Sequence, residues 1–232
     1  MDLPESSQQL VAPITTALEE VFGLKLASAV IHGSGVTGDI LPLLSDLDVV
    51  VILNQRWQLR EAASLHELVS KTDATPFSRI QPKFIDLTNA PPLLVEGTYA
   101  VLFGNEPPNQ MILTRQQLID TGEKWLHDLP SIIRSDAEEW SMATGPTVTR
   151  LGRLISTRLK PGVRAYLVRT GNNPPKVWAM LWDEMANMVK TSDIALGRAI
   201  DSFLAHARTE DTTMDELGTL AFDAAKQLLT LI

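Results

Sequence analysis

The spacing of apolar positions changes character near the middle of the chain. In "SSQQLVAPITTALEEVF" (6–22), Leu10, Ile14, Leu18 and Val21 recur at helical intervals, which predicts a helix in spite of Pro13. "ASAVIHG" (27–33) is a short β-rich run closed by glycine. "LDVVVIL" (47–53) is apolar on both faces, as a central strand would be. Residues 57–72 return to helical periodicity. "RIQPKFIDL" (79–87) reads as a strand, with Pro82 placing it at an edge, at a bulge or near a strand start. "TYAVLFG" (98–104) reads as one more strand. The first part of the chain is therefore expected to be mixed α/β.

After "NEPPNQ" (105–110), a predicted linker, helical patterns dominate. They cover roughly 114–128, 147–160, 176–190, 193–207 and 213–231, with "TGNNPP" (170–175) between two of them. No internal repeat or low-complexity run is visible. The expected fold is an α/β (α+β) domain with a mixed sheet over residues 1–108, followed by an all-α helical domain over 109–232.

Size and composition narrow the possible functions. A chain of 232 residues, 44% hydrophobic and 21% charged, can bury a real core. It has no cysteine, which excludes disulfides and thiolate metal sites. "MDLPESSQQL" lacks the basic and apolar regions of a signal peptide, and no apolar run is long enough for a membrane span. A cytoplasmic protein without membrane contact is expected. Net charge is −8, and residues 1–110 carry −7 of it, from 13 acids and 6 bases. The stretch between Glu139 and Asp183 holds no acid, yet contains Arg150, Arg153, Arg158, Lys160, Arg164, Arg169 and Lys176. An acidic chain with one basic segment argues against general nucleic-acid binding and for one anionic ligand.

The chemistry centres on Asp46 and Asp48. In a strand, residues two apart share a face, so both carboxylates project together from one strand end. Their repulsion calls for a cation or a proton. Mg²⁺ suits them, because it binds one or two carboxylates together with substrate phosphates. Gly33 and Ser34 supply the complement: a backbone that can approach a phosphate, and a hydroxyl donor. A third carboxylate from a neighbouring strand would complete a two-metal site, and Asp86 in "KFIDL" is the candidate.

"GSGVTGDILPLLSDLDVVV" (33–51) resembles the signature of the polymerase-β-like nucleotidyltransferase superfamily. It is most similar to the form in minimal and aminoglycoside nucleotidyltransferases, whose additional glycine and serine match Gly38 and Ser45. Thr37 departs from the arginine of many relatives. "VEGTYAVLFG" (95–104) looks like the closing strand of that domain, and the resemblance spans about residues 26–104. It implies a mixed sheet with helices on one face, two Mg²⁺ ions, and an NTP (ATP first) with its triphosphate by Gly33-Ser34. It also implies transfer of a nucleoside monophosphate to an acceptor hydroxyl with release of pyrophosphate. On that resemblance Asp46, Asp48 and Asp86 would be catalytic and metal-binding residues.

Other residues are weighed against plainer roles. Arg150 and Arg153 share a helix face and could hold the triphosphate, since arginine offers a fixed donor fork. His32 reads as a strand-end residue, and Glu138 and Glu139 as a solvated helix face. Trp178 and Trp182, beside Met185 and Val189, read as a core stripe. The acceptor would be a small hydroxylated molecule such as an aminoglycoside, or a protein side chain, with nucleic acid disfavoured. A homodimer or a partner protein stays open. The alternative is a non-catalytic nucleotide- or partner-binding module of the same fold, regulatory or antitoxin-like. A metal-dependent phosphohydrolase is less favoured, because the four histidines form no evident ligand set.

Overall fold

A computed structural model describes residues 3–209 and 211–232. The chain forms two compact units, one ending at Leu113 and the other starting at Thr114. The first unit opens with helix α1 (Glu5–Phe22). Strands β1 (Leu26–His32), β2 (Leu47–Leu53), β3 (Ile80–Asp86) and β4 (Tyr99–Gly104) form one sheet in the order β3-β2-β1-β4. β1 is antiparallel to β2 and β4, whereas β2 and β3 are parallel, so the sheet is mixed as expected. The one-turn helix α2 (Ser34–Thr37) follows β1, and α3 (Leu59–Ser70) is the crossover from β2 to β3.

Period-2 alternation divides the sheet into two faces. One face carries Leu47, Val49, Val51 and Leu53 of β2 with Ala29 and Ile31 of β1, packed with Leu10, Ile14 and Leu18 of α1 and Leu65 of α3. Each fully buried aliphatic of α1 contributes roughly 1.5–3 kcal/mol. Together they offset the cost of about 3 kcal/mol for Pro13 inside the helix. The opposite face carries Val30, Val50, Ile52 and Ile85, covered by Ala90, Leu94 and Met111 from the segments after β3 and β4. Pro82 is accommodated because β3 is an edge strand, paired on one side only.

The stretch 105–110, predicted as a linker, lies within the first unit. Met111 is fully buried there, and its carbonyl accepts from the backbone N–H groups of Leu93 and Leu94. The buried methionine anchors a segment whose polar, proline-rich sequence alone reads as loose.

The second unit contains α4 (Arg115–Ser141), α5 (Pro146–Arg169), α6 (Pro174–Ala179), α7 (Trp182–Ser192), α8 (Ile194–Ala207) and α9 (Met214–Leu229). Two helices outrun their predicted ends, passing through Pro130 and Pro161. On α5 the buried stripe of Leu151, Ile155, Leu159 and Val163 continues across the proline, and its burial outweighs the lost backbone bond. Conversely, the helix expected over 176–190 is broken at Met180–Leu181 into α6 and α7. Trp182 is buried with Met185 and Val189, but Trp178 stands on the separate α6, with the Arg164 guanidinium 5.6 Å from its ring centre. Among the described residues no helix is long and apolar enough to cross a membrane.

Candidate active site

Asp46 immediately precedes β2 and Asp48 is its second residue, at the end of the sheet where β1 gives way to the Gly33–Ser34 turn. His32, the last residue of β1, is the register partner of Asp48. Gly33 adopts φ +66°, a left-handed conformation that glycine tolerates best, and its N–H donates to the Thr98 carbonyl at 3.0 Å. A side chain on Gly33 would stand 3.8 Å from Asp48 Oδ2, so the turn lies directly against this carboxylate. Ser34 opens α2, and its hydroxyl donates to the Asp46 carbonyl at 3.3 Å. The first N–H groups of such a turn have no acceptor within it. Gly35 is buried, with Leu47 and Ile31 side chains filling the space a Cβ would need. The buried Ser7 hydroxyl of α1 donates to the Gly35 carbonyl at 2.6 Å, which ties the turn to the core.

The two aspartates have different surroundings. Asp46 accepts from the Ser78 hydroxyl at 2.7 Å and from Arg79 Nη2 at 3.2 Å. Asp48 is more enclosed: burial, with the neighbouring Asp46 charge, pushes its carboxyl up to about 6, while Arg79 and Lys83 pull the other way. Burial, helped by the Lys83 charge, holds His32 down at about 4, so its imidazole is neutral at neutral pH. Asp48 and His32 line a cavity of about 380 Å³ together with Gln81, Pro82, Lys83 and Leu93.

Asp86 is not part of this site. In the parallel β2–β3 ladder Asp48 pairs with Gln81, whereas Asp86 pairs with Leu53. Leu53 is five residues beyond Asp48, roughly 16 Å along a strand rising ~3.3 Å per residue. Asp86 also lies on the wrong face: Gln81, Lys83 and Ile85 alternate onto the cavity side, and Asp86 falls on the other. Its carboxylate caps the 3₁₀ turn Leu87–Asn89, accepting from the Thr88 N–H at 2.9 Å and the Thr88 hydroxyl at 2.8 Å. Those bonds hold its pKa below the usual carboxylate value. The expectation of a catalytic, metal-binding Asp86 is corrected accordingly.

Arg150 and Arg153 lie on α5 in the second unit. Arg150 Nη2 donates to Glu139 Oε1 of α4 at 2.6 Å, so Glu139 is an ion-pair partner within that unit. The residues that sequence reasoning passed over are Ser78, Arg79, Gln81, Lys83 and the cavity position of His32. A signal for three of them was present: in "RIQPKF", polar residues occupy 79, 81 and 83 and alternate with Ile80, Pro82 and Phe84. That parity marks one polar face and excludes Asp86 from it.

The donor set suits one Mg²⁺ ion. Asp46 and Asp48 are two carboxylates on one face, one of them carrying a raised pKa partly because of the other, and a divalent cation relieves that repulsion. Among the described residues no group of three or more His, Cys, Asp and Glu side chains is placed to hold a metal. The two-ion set expected from Asp46, Asp48 and Asp86 is thus incomplete.

The model of the family described as "Nucleotidyltransferase domain" matches residues 14–86, the stretch that carries the second half of α1, the Gly33–Ser34 turn and both aspartates. The structure of the spectinomycin adenyltransferase AAD(9) from Enterococcus faecialis, solved with ATP and spectinomycin, is similar in fold. It superimposes with a TM-score of 0.56 at 12% identity, covering 94% of this chain and 99% of the other. No curated protein matches the sequence significantly.

Proposed function

We propose that this protein transfers a nucleoside monophosphate from a Mg²⁺-bound NTP, ATP first, to the hydroxyl of a small acceptor of the aminoglycoside type, releasing pyrophosphate. The observation that carries this reading is the placement of Asp46 and Asp48 against the Gly33–Ser34 turn. The fold likeness to an adenyltransferase solved with ATP and spectinomycin supports the choice of nucleotide and acceptor class. The net charge of −7 over residues 1–110 favours a cationic acceptor over nucleic acid. A protein hydroxyl is the other acceptor compatible with this chemistry.

In this reading Asp46 and Asp48 would hold a Mg²⁺ ion, and such an ion would supply neutralisation of phosphate charge. Ser34 and the backbone of its turn orient the triphosphate. Asp48 must be ionised to bind the ion, so binding is expected to weaken as pH falls through about 6.

Gln81 and Lys83, standing where a third carboxylate was sought, favour one second reading: a module that binds nucleotide without turning it over. Incubating the protein with each NTP, Mg²⁺ and a panel of aminoglycosides and proteins, and following pyrophosphate release, separates the two. Acceptor-dependent release that disappears in Asp46→Asn and Asp48→Asn supports transfer. Nucleotide binding with no release from any acceptor supports the binding module, and no Mg²⁺–NTP binding at all defeats both.

A further inference from the structure

Two positions on β3 line the cavity beside Asp48, and neither is acidic. Gln81 is the register partner of Asp48, and Lys83 is one pleat further along the same face. Both line the cavity that Asp48 and His32 line. The Lys83 charge acts on both of those groups. A second divalent ion beside Asp48 would meet an amide that carries no charge, and an ammonium that repels it. An ammonium on this face serves one purpose well: it offers a fixed positive charge to anionic oxygens.

We propose that the site uses a single divalent ion, and that the Lys83 ammonium supplies the nucleotide phosphates with the positive charge a second ion would otherwise bring. This rests on the nucleotidyl-transfer reading above. In that step the acceptor oxygen forms a bond to the α-phosphorus as the bond from that phosphorus to the bridging oxygen breaks. Pyrophosphate leaves with the electron pair, and the hydroxyl proton passes to water. Lys83 would offer its ammonium to the charge accumulating on the departing pyrophosphate, beside an ion that Asp46 and Asp48 would hold. Gln81 keeps the neighbouring position uncharged, so Lys83 has no carboxylate there to neutralise it.

The test is a count of metal ions. Mn²⁺ binding is measured by electron paramagnetic resonance and titration calorimetry with saturating α,β-methylene-ATP. The wild type is expected to bind one Mn²⁺ per chain. Gln81→Glu, which puts a carboxylate in register with Asp48, is expected to bind two. Lys83→Ala should weaken the methylene-ATP complex roughly tenfold to a hundredfold, with substantial recovery in Lys83→Arg. Gln81 and Lys83 are both exposed, and each variant's fold is checked by thermal melts before binding is measured. Two ions in the wild type, one ion in Gln81→Glu, or undiminished nucleotide affinity in Lys83→Ala would each overturn the inference while leaving nucleotidyl transfer standing. Failure of the wild type to bind Mn²⁺ and nucleotide together would instead overturn the functional reading beneath it.

Discussion

Asp48 on β2 and Gln81 on β3 are partners in a parallel ladder, so their side chains share one face and one end of the sheet. Asp86, on the same β3, pairs with Leu53 at the far end. Asp86→Ala is therefore expected to leave Mg²⁺–NTP binding and transfer unchanged within about twofold. It should lower stability slightly through loss of the cap on Leu87–Asn89. Parallel turnover assays and urea melts read the two effects separately.

Asp46→Asn and Asp48→Asn should each reduce transfer by at least about a hundredfold, because each removes a ligand from the proposed ion. Their effects on the metal-free protein differ from this. The Asp48 carboxyl is pushed up to about 6, so the fold is strained by its ionised form at neutral pH. Asp48→Asn should raise the Tm of the metal-free protein at pH 7, by an amount equivalent to ~1–3 kcal/mol. A lower Tm in metal-free buffer would refute this account of the pair.

Asp48 and His32 pull the pH dependence of stability in opposite directions. Asp48 titrates at about 6 in the fold against 3.8 as a free side chain, so the folded state binds more protons in that interval and stability falls as pH rises through it. His32 titrates at about 4 against 6.5, so the folded state binds fewer protons and stability rises over nearly the same interval. In the metal-free wild type the two largely cancel between pH 4 and 6. Relative to wild type, His32→Gln should lose stability progressively as pH rises from 4 to 6.5, and Asp48→Asn should gain it from 4 to 6. Chemical denaturation across pH 4–7 in chelator reads both differences.

The turn that would receive the triphosphate leaves no room at Gly35. A Cβ there would lie 2.6 Å from Leu47 Cδ1 and 2.8 Å from Ile31 Cγ2, inside the core beneath the sheet. Gly35→Ala should cost about 1–3 kcal/mol and displace Ser34 from its place beside Asp46. The expected kinetic outcome is a raised KM for NTP at temperatures where the protein is still folded. An unchanged KM would mean that Ser34 does not position the nucleotide.

Different parts of the fold were legible to different degrees. The four strands and α1 could be read because each carries its own period, 2 or 3.6, over enough residues to be distinct. The ends of α4 and α5 were misjudged at Pro130 and Pro161, since a proline is a local signal and the buried stripe that carries a helix past it is not. The split between Trp178 and Trp182 was hidden for the same reason. Two helices whose apolar positions happen to stay in step look like one.

The same division runs through the site. The pairing of Asp46 with Asp48 needed only the sequence, because residues at i and i+2 of an extended strand share a face whatever the strand packs against. Their placement beside Gly33 and Ser34 was also implied, by the motif. Which residue of β3 faces that pair was decided by the tertiary structure alone. β2 and β3 are separated by the α3 crossover, and their register follows from how α3 and the core align them, not from either strand's composition. Shifting a parallel neighbour along its axis exchanges one facing residue for another several ångströms away, and here the register brought Gln81 and Lys83 to the carboxylates and carried Asp86 to the other end.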